Sequence, residues 1–228
     1  MSNPDEQTAG ANPTIRLIGL GETGVKLVET LAMIAPEGVE AHSLDTDNRS
    51  LSRCHQSRTF LLGQAIPCGL GTGGDSALAR AAVESDNDEL TEIVRGTDLV
   101  FVVAGMGGGT GTGAAPFLAN LAKEAGALVV GVAATPFECE GIQRCNQATG
   151  GLRDLKQVAD VVFHFPNQDV ILMEGPDIAL HQALEIANRH LCEAVLGVSR
   201  MLLEPGMLNV SFTDLQASMR DRHSLGSV

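Results

Sequence analysis

Tryptophan and tyrosine are absent from the 228 residues, and aromatics make up only 3% of them. Such a chain has few flat apolar platforms on which nucleic-acid bases could stack. Positive charge is scarce as well: 15 lysines and arginines stand against 28 acids, for a net charge of −13, with no basic cluster. Nucleic acids are bound largely through phosphate neutralisation, so no nucleic-acid partner is expected. A smaller phosphate ligand would have to be held by backbone amides, alone or with a metal ion. The five cysteines are odd in number and form no Cys-x-x-Cys pair; reduced thiols of a cytoplasmic protein are the plain reading. The six histidines lack metal-ligand spacing, so no metal centre is expected, and His164 within VVFHFP reads as a strand residue. No stretch approaches the roughly 20 apolar residues of a membrane span. Residues 1–13, MSNPDEQTAGANP, lack the apolar segment of a signal peptide and are expected to form a disordered tail.

Hydrophobic residues make up 44% of the chain, enough for a full core. Short β-branched runs at 14–18, 39–44, 59–62, 98–104, 128–133 and 161–165 predict strands. Amphipathic stretches running to about Ala35, at 76–83, at 88–95, to about Ala125 and at 142–158 predict helices between them. Strands alternating with helices give βαβ units, so the expected fold class is α/β, a doubly wound, mostly parallel, Rossmann-like sheet over residues 14–176. Beyond it, apolar residues at 180, 184, 187, 191, 194, 195, 198, 201 and 202 fall on one helix face. They predict a long core helix over 177–203, roughly 40 Å in length. A loop and a short terminal helix complete the 177–228 segment.

Two glycine-rich loops follow strands and open helices. In a doubly wound sheet, ligands bind at the carboxyl ends of strands, and helix N-termini favour phosphate. Gly19-Leu-Gly21-Glu-Thr-Gly24 satisfies G-x-G-x-x-G, with Asp45 about twenty residues on, which is the dinucleotide fingerprint. An NAD-dependent oxidoreductase is therefore one reading. GMGGGTGTG at 105–113 ends in no Gly-Lys-Ser/Thr and so is not a Walker A loop. A third cluster, Gly69-Leu-Gly-Thr-Gly-Gly74, also follows a strand. Three such loops at one sheet edge suit a triphosphate better than a dinucleotide. The hydroxyls of Thr110 and Thr112 are expected as extra donors, and a side chain at Gly109 is expected to fill the phosphate volume.

The stretch Ala104-Gly-Met-Gly-Gly-Gly-Thr-Gly-Thr-Gly-Ala-Ala-Pro116 resembles the signature of the FtsZ branch of the tubulin/FtsZ GTPase family. The resemblance runs from about Thr14 to Met219. It takes in Gly19-Leu-Gly21, Asp45-Thr-Asp47, the third glycine cluster, Pro136-Phe-Glu-Cys-Glu-Gly141, Pro166-Asn167 and Pro205-Gly-Met-Leu-Asn-Val210. It implies a tubulin/FtsZ nucleotide-binding fold with GTP or GDP as ligand and Mg2+ as a compatible companion. Gly21, Glu22, Thr23, Gly24, Val25 and Lys26 would form the first phosphate loop. Gly107, Gly108, Gly109, Thr110, Gly111 and Thr112 would hold the phosphates, with Gly73 and Gly74 near the γ-phosphate. Glu140 and Arg144 match ribose-side residues. Asn188 matches the asparagine that reads the guanine edge, with Asn167 close by; an amide both donates and accepts, as a base edge requires.

The chain departs from that family at several points. Glu22, Thr23 and Val25 stand where glycines are usual, and Lys26 replaces an asparagine; Lys26 would attract a phosphate and Glu22 repel one. Asp75 replaces an asparagine and Leu184 an aromatic residue. In the family, a loop of the form Asn-x-Asp-x-x-Asp enters the next subunit and orients the attacking water. Here it reads Asn209-Val-Ser211-Phe-Thr-Asp214. Asn209 and Asp214 are the catalytic candidates, and Ser211 in place of the first acid predicts slow or assembly-dependent hydrolysis. Only Leu215 to Val228 follow, so the family's second domain is not expected within these residues. The far half of the long helix, around Val195, Val198, Met201 and Leu202, would then face solvent and mark self-association or binding to another FtsZ-like chain, unless Leu215 and Met219 fold back over it. The resemblance implies a role in bacterial cytoskeletal or cell-division assembly. A nucleotide-binding interaction protein without turnover is the remaining alternative.

Overall fold

The computed structural model describes residues 12–64, 70–175, 177–204, 210–220 and 224–227. Most of the expected tail, and Asn209, lie outside them. In chain order the elements are β1 (Ile15–Leu20), α1 (Gly21–Ile34), β2 (Val39–Asp45), α2 (Asn48–Leu51), β3 (Arg58–Leu61), α3 (Ser76–Ser85), α4 (Asn87–Val94), β4 (Leu99–Gly105), α5 (Gly109–Glu124), β5 (Leu128–Thr135), α6 (Ile142–Val158), β6 (Val161–Pro166), α7 (Asn167–Glu174), α8 (Leu180–Leu203), α9 (Phe212–Met219) and β7 (Ser224–Ser227). The strands form one seven-stranded sheet in the order β3-β2-β1-β4-β5-β6-β7, and every neighbouring pair is parallel. Strand order reverses between β1 and β4, so a crevice is expected where their carboxyl ends meet.

β4 shows why the sheet is covered on both faces. Val100 and Val102 belong to the core under α3–α6, whereas Phe101 and Val103 belong to the core under α1, α8 and α9. Successive side chains on a strand point to opposite faces, so a continuous apolar run such as LVFVVA feeds two cores at once.

The amino ends of the strands are tied by side chains. Arg16 on β1 donates through Nε to Glu40 on β2 at 2.7 Å. Its Nη1 reaches the carbonyls of Ile93 and Arg95 and the hydroxyl of Thr97. Asp98 accepts from the Thr14 amide at 2.8 Å. Asp160 accepts from the Val129 amide at 2.9 Å and pairs with Lys123 at 3.0 Å.

Two expectations change. The segment after β6 holds a separate helix, α7, ended by Gly175 at φ 100°, and the long helix starts at Leu180. With 24 residues, α8 is roughly 36 Å long. The far half of α8 is only partly exposed: Val195 is fully buried, Val198 and Leu202 join the same core cluster as Phe212, Leu215 and Met219 of α9, and Met201 stays 39% exposed. The apolar residues of α9 thus enter the same core as those of α8. Among the described residues, the large apolar side chains left exposed are Met33 and Ile34 of α1, Leu70, Ile142 of α6, Leu172 and Met173 of α7, and Leu180, Leu184 and Met201 of α8. Among the described residues, no helix is long and apolar enough to cross a membrane.

Candidate functional site

The first two glycine loops meet at the switch point. α1 leaves β1 without a connecting loop. A Cβ on Gly24 would collide with the carbonyl oxygen of Val103, so glycine lets α1 lie directly on β4. The Cβ position of Gly21 is 3.0 Å from the Gly111 amide nitrogen, which places the first loop against the second. α5 begins within the glycine run itself, with Gly108 as its N-cap and no side chain capping it. An α-helix leaves its first N–H groups without intrahelical partners, and the dipole makes that end attractive to anions.

Individual glycines in the run serve different ends. Gly107 has φ +99°, and a Cβ there would stand 2.8 Å from Arg144 Cγ. Gly108 is the open position, where a Cβ would meet nothing within 4 Å. Gly109 differs from expectation: its Cβ would strike the Thr72 hydroxyl and come within 3.0 Å of the Asp75 carbonyl oxygen, so the residue is small in order to pack on the third loop. The threonine hydroxyls are also committed elsewhere. Thr110 Oγ1 lies 2.7 Å from Thr46 Oγ1 in a buried pair, and Thr112 Oγ1 accepts from the Gly107 amide at 2.8 Å. Both hydroxyls thus have partners within the loops themselves.

The third loop closes over α5. Gly73 and Gly74 have φ of +60° and +91°, and added Cβ atoms would meet nothing within 4 Å. The Asp75 carboxylate accepts from the amides of Ala77 and Leu78 and caps α3, so the extra acid is committed to its own helix. Glu22 and Lys26 neutralise one another at 2.6 Å, and the Lys26 hydrogen bond holds the Glu22 carboxyl below its usual range. Asp45 does not present itself to a ribose. It is 3% exposed, accepts from the Thr46 amide at 2.7 Å, and burial pushes its carboxyl up. The NAD reading thereby loses its acid. Among the described residues no group of three or more His, Cys, Asp or Glu could hold a metal. A magnesium ion on a nucleotide takes most of its ligands from phosphates and water, so the cradle remains compatible with one.

On the opposite flank, Glu140 pairs with Arg144 at 3.2 Å and accepts from the Phe137 amide at 2.8 Å. Phe137 is buried in a cluster with Val170 of α7 and Ala183 and Ala187 of α8. This cluster joins the Pro136–Gly141 segment to the helices that carry Asn167, the first residue of α7, and Asn188, which follows Ala187. Both asparagines are half-buried, and Leu184, one turn before Asn188, is 39% exposed. Asp214 stands apart. Ser211 Oγ donates to its carboxylate at 2.6 Å and accepts from its amide at 3.1 Å, forming the N-cap of α9. Its described polar contacts reach no residue of the cradle. Gln147, which the sequence did not single out, donates to the carbonyls of both Gly74 and Gly108. The available signal was its place three residues after Arg144, on the same side of α6.

Comparison with known proteins agrees with this geometry. The family description "Tubulin/FtsZ family, GTPase domain" matches residues 14–173. The cell division protein FtsZ of Coxiella burnetii is 39% identical over 215 residues, covering 94% of this chain and 56% of that protein. Cell division protein FtsZ 1 of Thermococcus kodakarensis is 35% identical over 207 residues, covering 91% and 55%. Among solved structures, the empty FtsZ dimer of M. jannaschii superposes with a TM-score of 0.88 at 33% identity, over 92% of this chain and 61% of that one. The GTPγS-bound protofilament of CetZ2 from Haloferax volcanii gives 0.73 at 28% identity, over 85% and 60%. The chain thus spans a little over half the length of the curated relatives it matches. With the glycine run at the start of α5, the sheet order and these matches in agreement, the chain belongs to the tubulin/FtsZ family.

Proposed function

We propose that this chain binds GTP and GDP in the cradle between α1, α5 and the Gly71–Asp75 loop, and acts in the cytoplasm in FtsZ-like cytoskeletal or division assembly. The observation that carries this reading is the start of α5: a helix N-terminus capped by no side chain, with Gly108 open to space and the open turn Gly73–Gly74 beside it. Such an end supplies backbone donors and a positive dipole to a phosphate chain, which suits a protein short of basic residues. Gly21–Lys26 and Gly107–Thr112 line the phosphates in this reading, Glu140 and Arg144 stand at the ribose, and Asn188 and Asn167 at the guanine. Mg2+ accompanies the triphosphate. Hydrolysis is slow and requires a second copy or another FtsZ-like chain to supply Asp214 and Asn209 to the site. The Ser211–Asp214 bond favours a second reading, in which nucleotide is bound without turnover, because it occupies the carboxylate that would orient water.

Calorimetric titration with GTP, GDP, ATP and NAD tests the proposal. Binding of the guanine nucleotides alone is expected, with Asn188→Ala weakening GTP and narrowing its margin over ATP. A protein that binds NAD in preference to GTP would overturn the proposal, and an unchanged margin in Asn188→Ala would place guanine recognition elsewhere.

A further inference from the structure

One side of α6 lies along the glycine run. It carries Arg144, Gln147, Ala148 and Gly151, spaced three and four apart as a single helix face requires. Arg144 Cγ and its carbonyl oxygen come within 2.8 and 2.9 Å of the Cβ position of Gly107. Ala148 is buried. Gly151 has no Cβ where the Thr112 methyl presses. Gln147 is the neutral polar member of this face, and its Nε2 donates to Gly74 O at 2.9 Å and to Gly108 O at 3.0 Å. One amide thus holds carbonyls from two loops that are far apart in sequence.

The peptide unit makes that contact consequential. In a trans peptide C=O and N–H point in opposite directions. Fixing the Gly108 carbonyl on Gln147 therefore aims the Gly109 N–H, at the first residue of α5, away from α6. Fixing the Gly74 carbonyl on the same nitrogen sets how far the Gly73–Gly74 turn stands from Gly108. The Gln147 amide nitrogen carries two N–H donors, so it can hold both carbonyls at once.

We infer that Gln147 is a positioning residue that sets the gap between the Gly73–Gly74 turn and the Gly108–Gly109 peptide, and thereby favours a nucleoside triphosphate over the diphosphate. The inference rests on the proposed nucleotide reading. A diphosphate ends on the α5 side, whereas a terminal phosphate must fit between both loops.

The experiment titrates the parent protein, Gln147→Met, Gln147→Glu and Gln147→Lys with GDP and with a non-hydrolysable GTP analogue in the presence of Mg2+. Methionine keeps the length without a donor, glutamate puts an acceptor against two carbonyls, and lysine keeps donors alone. Gln147→Met is expected to weaken the triphosphate about tenfold, Gln147→Glu more, and GDP by no more than about twofold, with Gln147→Lys close to the parent. Amide hydrogen exchange without nucleotide, read at Gly73–Asp75, is expected to speed up in Gln147→Met. A Met variant with the parent's triphosphate-to-diphosphate ratio overturns the inference while leaving the nucleotide reading intact. A parent that binds neither nucleotide overturns both, and unchanged exchange in Gln147→Met removes the clamp itself.

Discussion

Gly108 and Gly109 are adjacent but have opposite surroundings, and an alanine at each position separates binding from folding. At Gly108 the backbone is ordinary and extended, with φ −90° and ψ 171°, and an added methyl meets nothing within 4 Å. Alanine is a poorer N-cap than glycine but leaves the unfolded chain less free, and these opposed effects cancel to within about 0.5 kcal/mol. At Gly109 the methyl drives into the Thr72 hydroxyl and stands 3.0 and 3.1 Å from the carbonyl oxygen and amide nitrogen of Asp75. The hydroxyl can turn away. The Asp75 backbone cannot yield freely, because its amide bonds Thr72 O at 3.0 Å and its carboxylate caps α3. Overpacking of this kind costs about 1–2 kcal/mol, and for a domain of this size each kcal/mol lowers Tm by about 2–4 °C. Scanning calorimetry without ligand should therefore show Gly109→Ala melting about 2–8 °C early and Gly108→Ala within about 2 °C of the parent. Titration with GTP should show the reverse severity, with Gly108→Ala losing more than about tenfold in affinity because its methyl occupies the space proposed for a phosphate. A Gly108→Ala protein that binds GTP like the parent removes that position from the cradle. A Gly109→Ala protein as stable as the parent would show that the Thr72–Asp75 loop is not held against α5.

Acid should weaken the fold through His42, whose ring is 7% exposed. Burial first, then Arg16, partly offset by Glu40, and last Arg58 lower its pKa to about 4. The unfolded chain takes up this proton near pH 6.5, so stability is complete above that value and falls by about 2 kcal/mol between pH 7 and pH 5. Urea melts should show the loss in the parent and a flatter profile in His42→Phe; equal slopes would acquit the histidine. Ser211→Asp removes the hydroxyl that bonds Asp214 and adds a second acid, and is expected to raise GTP turnover in proportion to association; a rate independent of protein concentration would refute a site shared between subunits. Alkylation followed by mass spectrometry should label exposed Cys139 quickly and spare Cys192, whose thiol burial lifts to about 11; equal labelling would mean that α8 opens readily.

Strands and most helices were legible because each carries its own period. β4 is a continuous apolar run rich in valine, and α6 begins and ends at the residues expected from its spacing. α7 was missed because Val170-Ile-Leu-Met173 is an unbroken apolar run with no helical stripe, leaving Gly175 as the only punctuation. The cradle was legible as glycine, but not the task of each glycine. Gly108 and Gly109 look identical in sequence, and only the tertiary placement of Thr72 and Asp75 tells them apart. The same limit applies to Thr110, Thr112 and Asp75, whose polar groups bond Thr46, Gly107 and the start of α3. The contacts of Gln147 and the core shared by α8 and α9 depend on which surfaces meet across the chain, which local pattern does not encode.

The two ends of the sheet are built from different materials. At the amino ends, Arg16, Asp98 and Asp160 stitch strands to neighbouring segments by charged side chains. At the carboxyl ends, β1 and β4 run directly into glycine segments, the second of which Gln147 of α6 braces from outside. An occupant held at the carboxyl ends would therefore touch the glycine segments and the α6 face that braces them, and not the charged ties that hold the strands at the opposite edge.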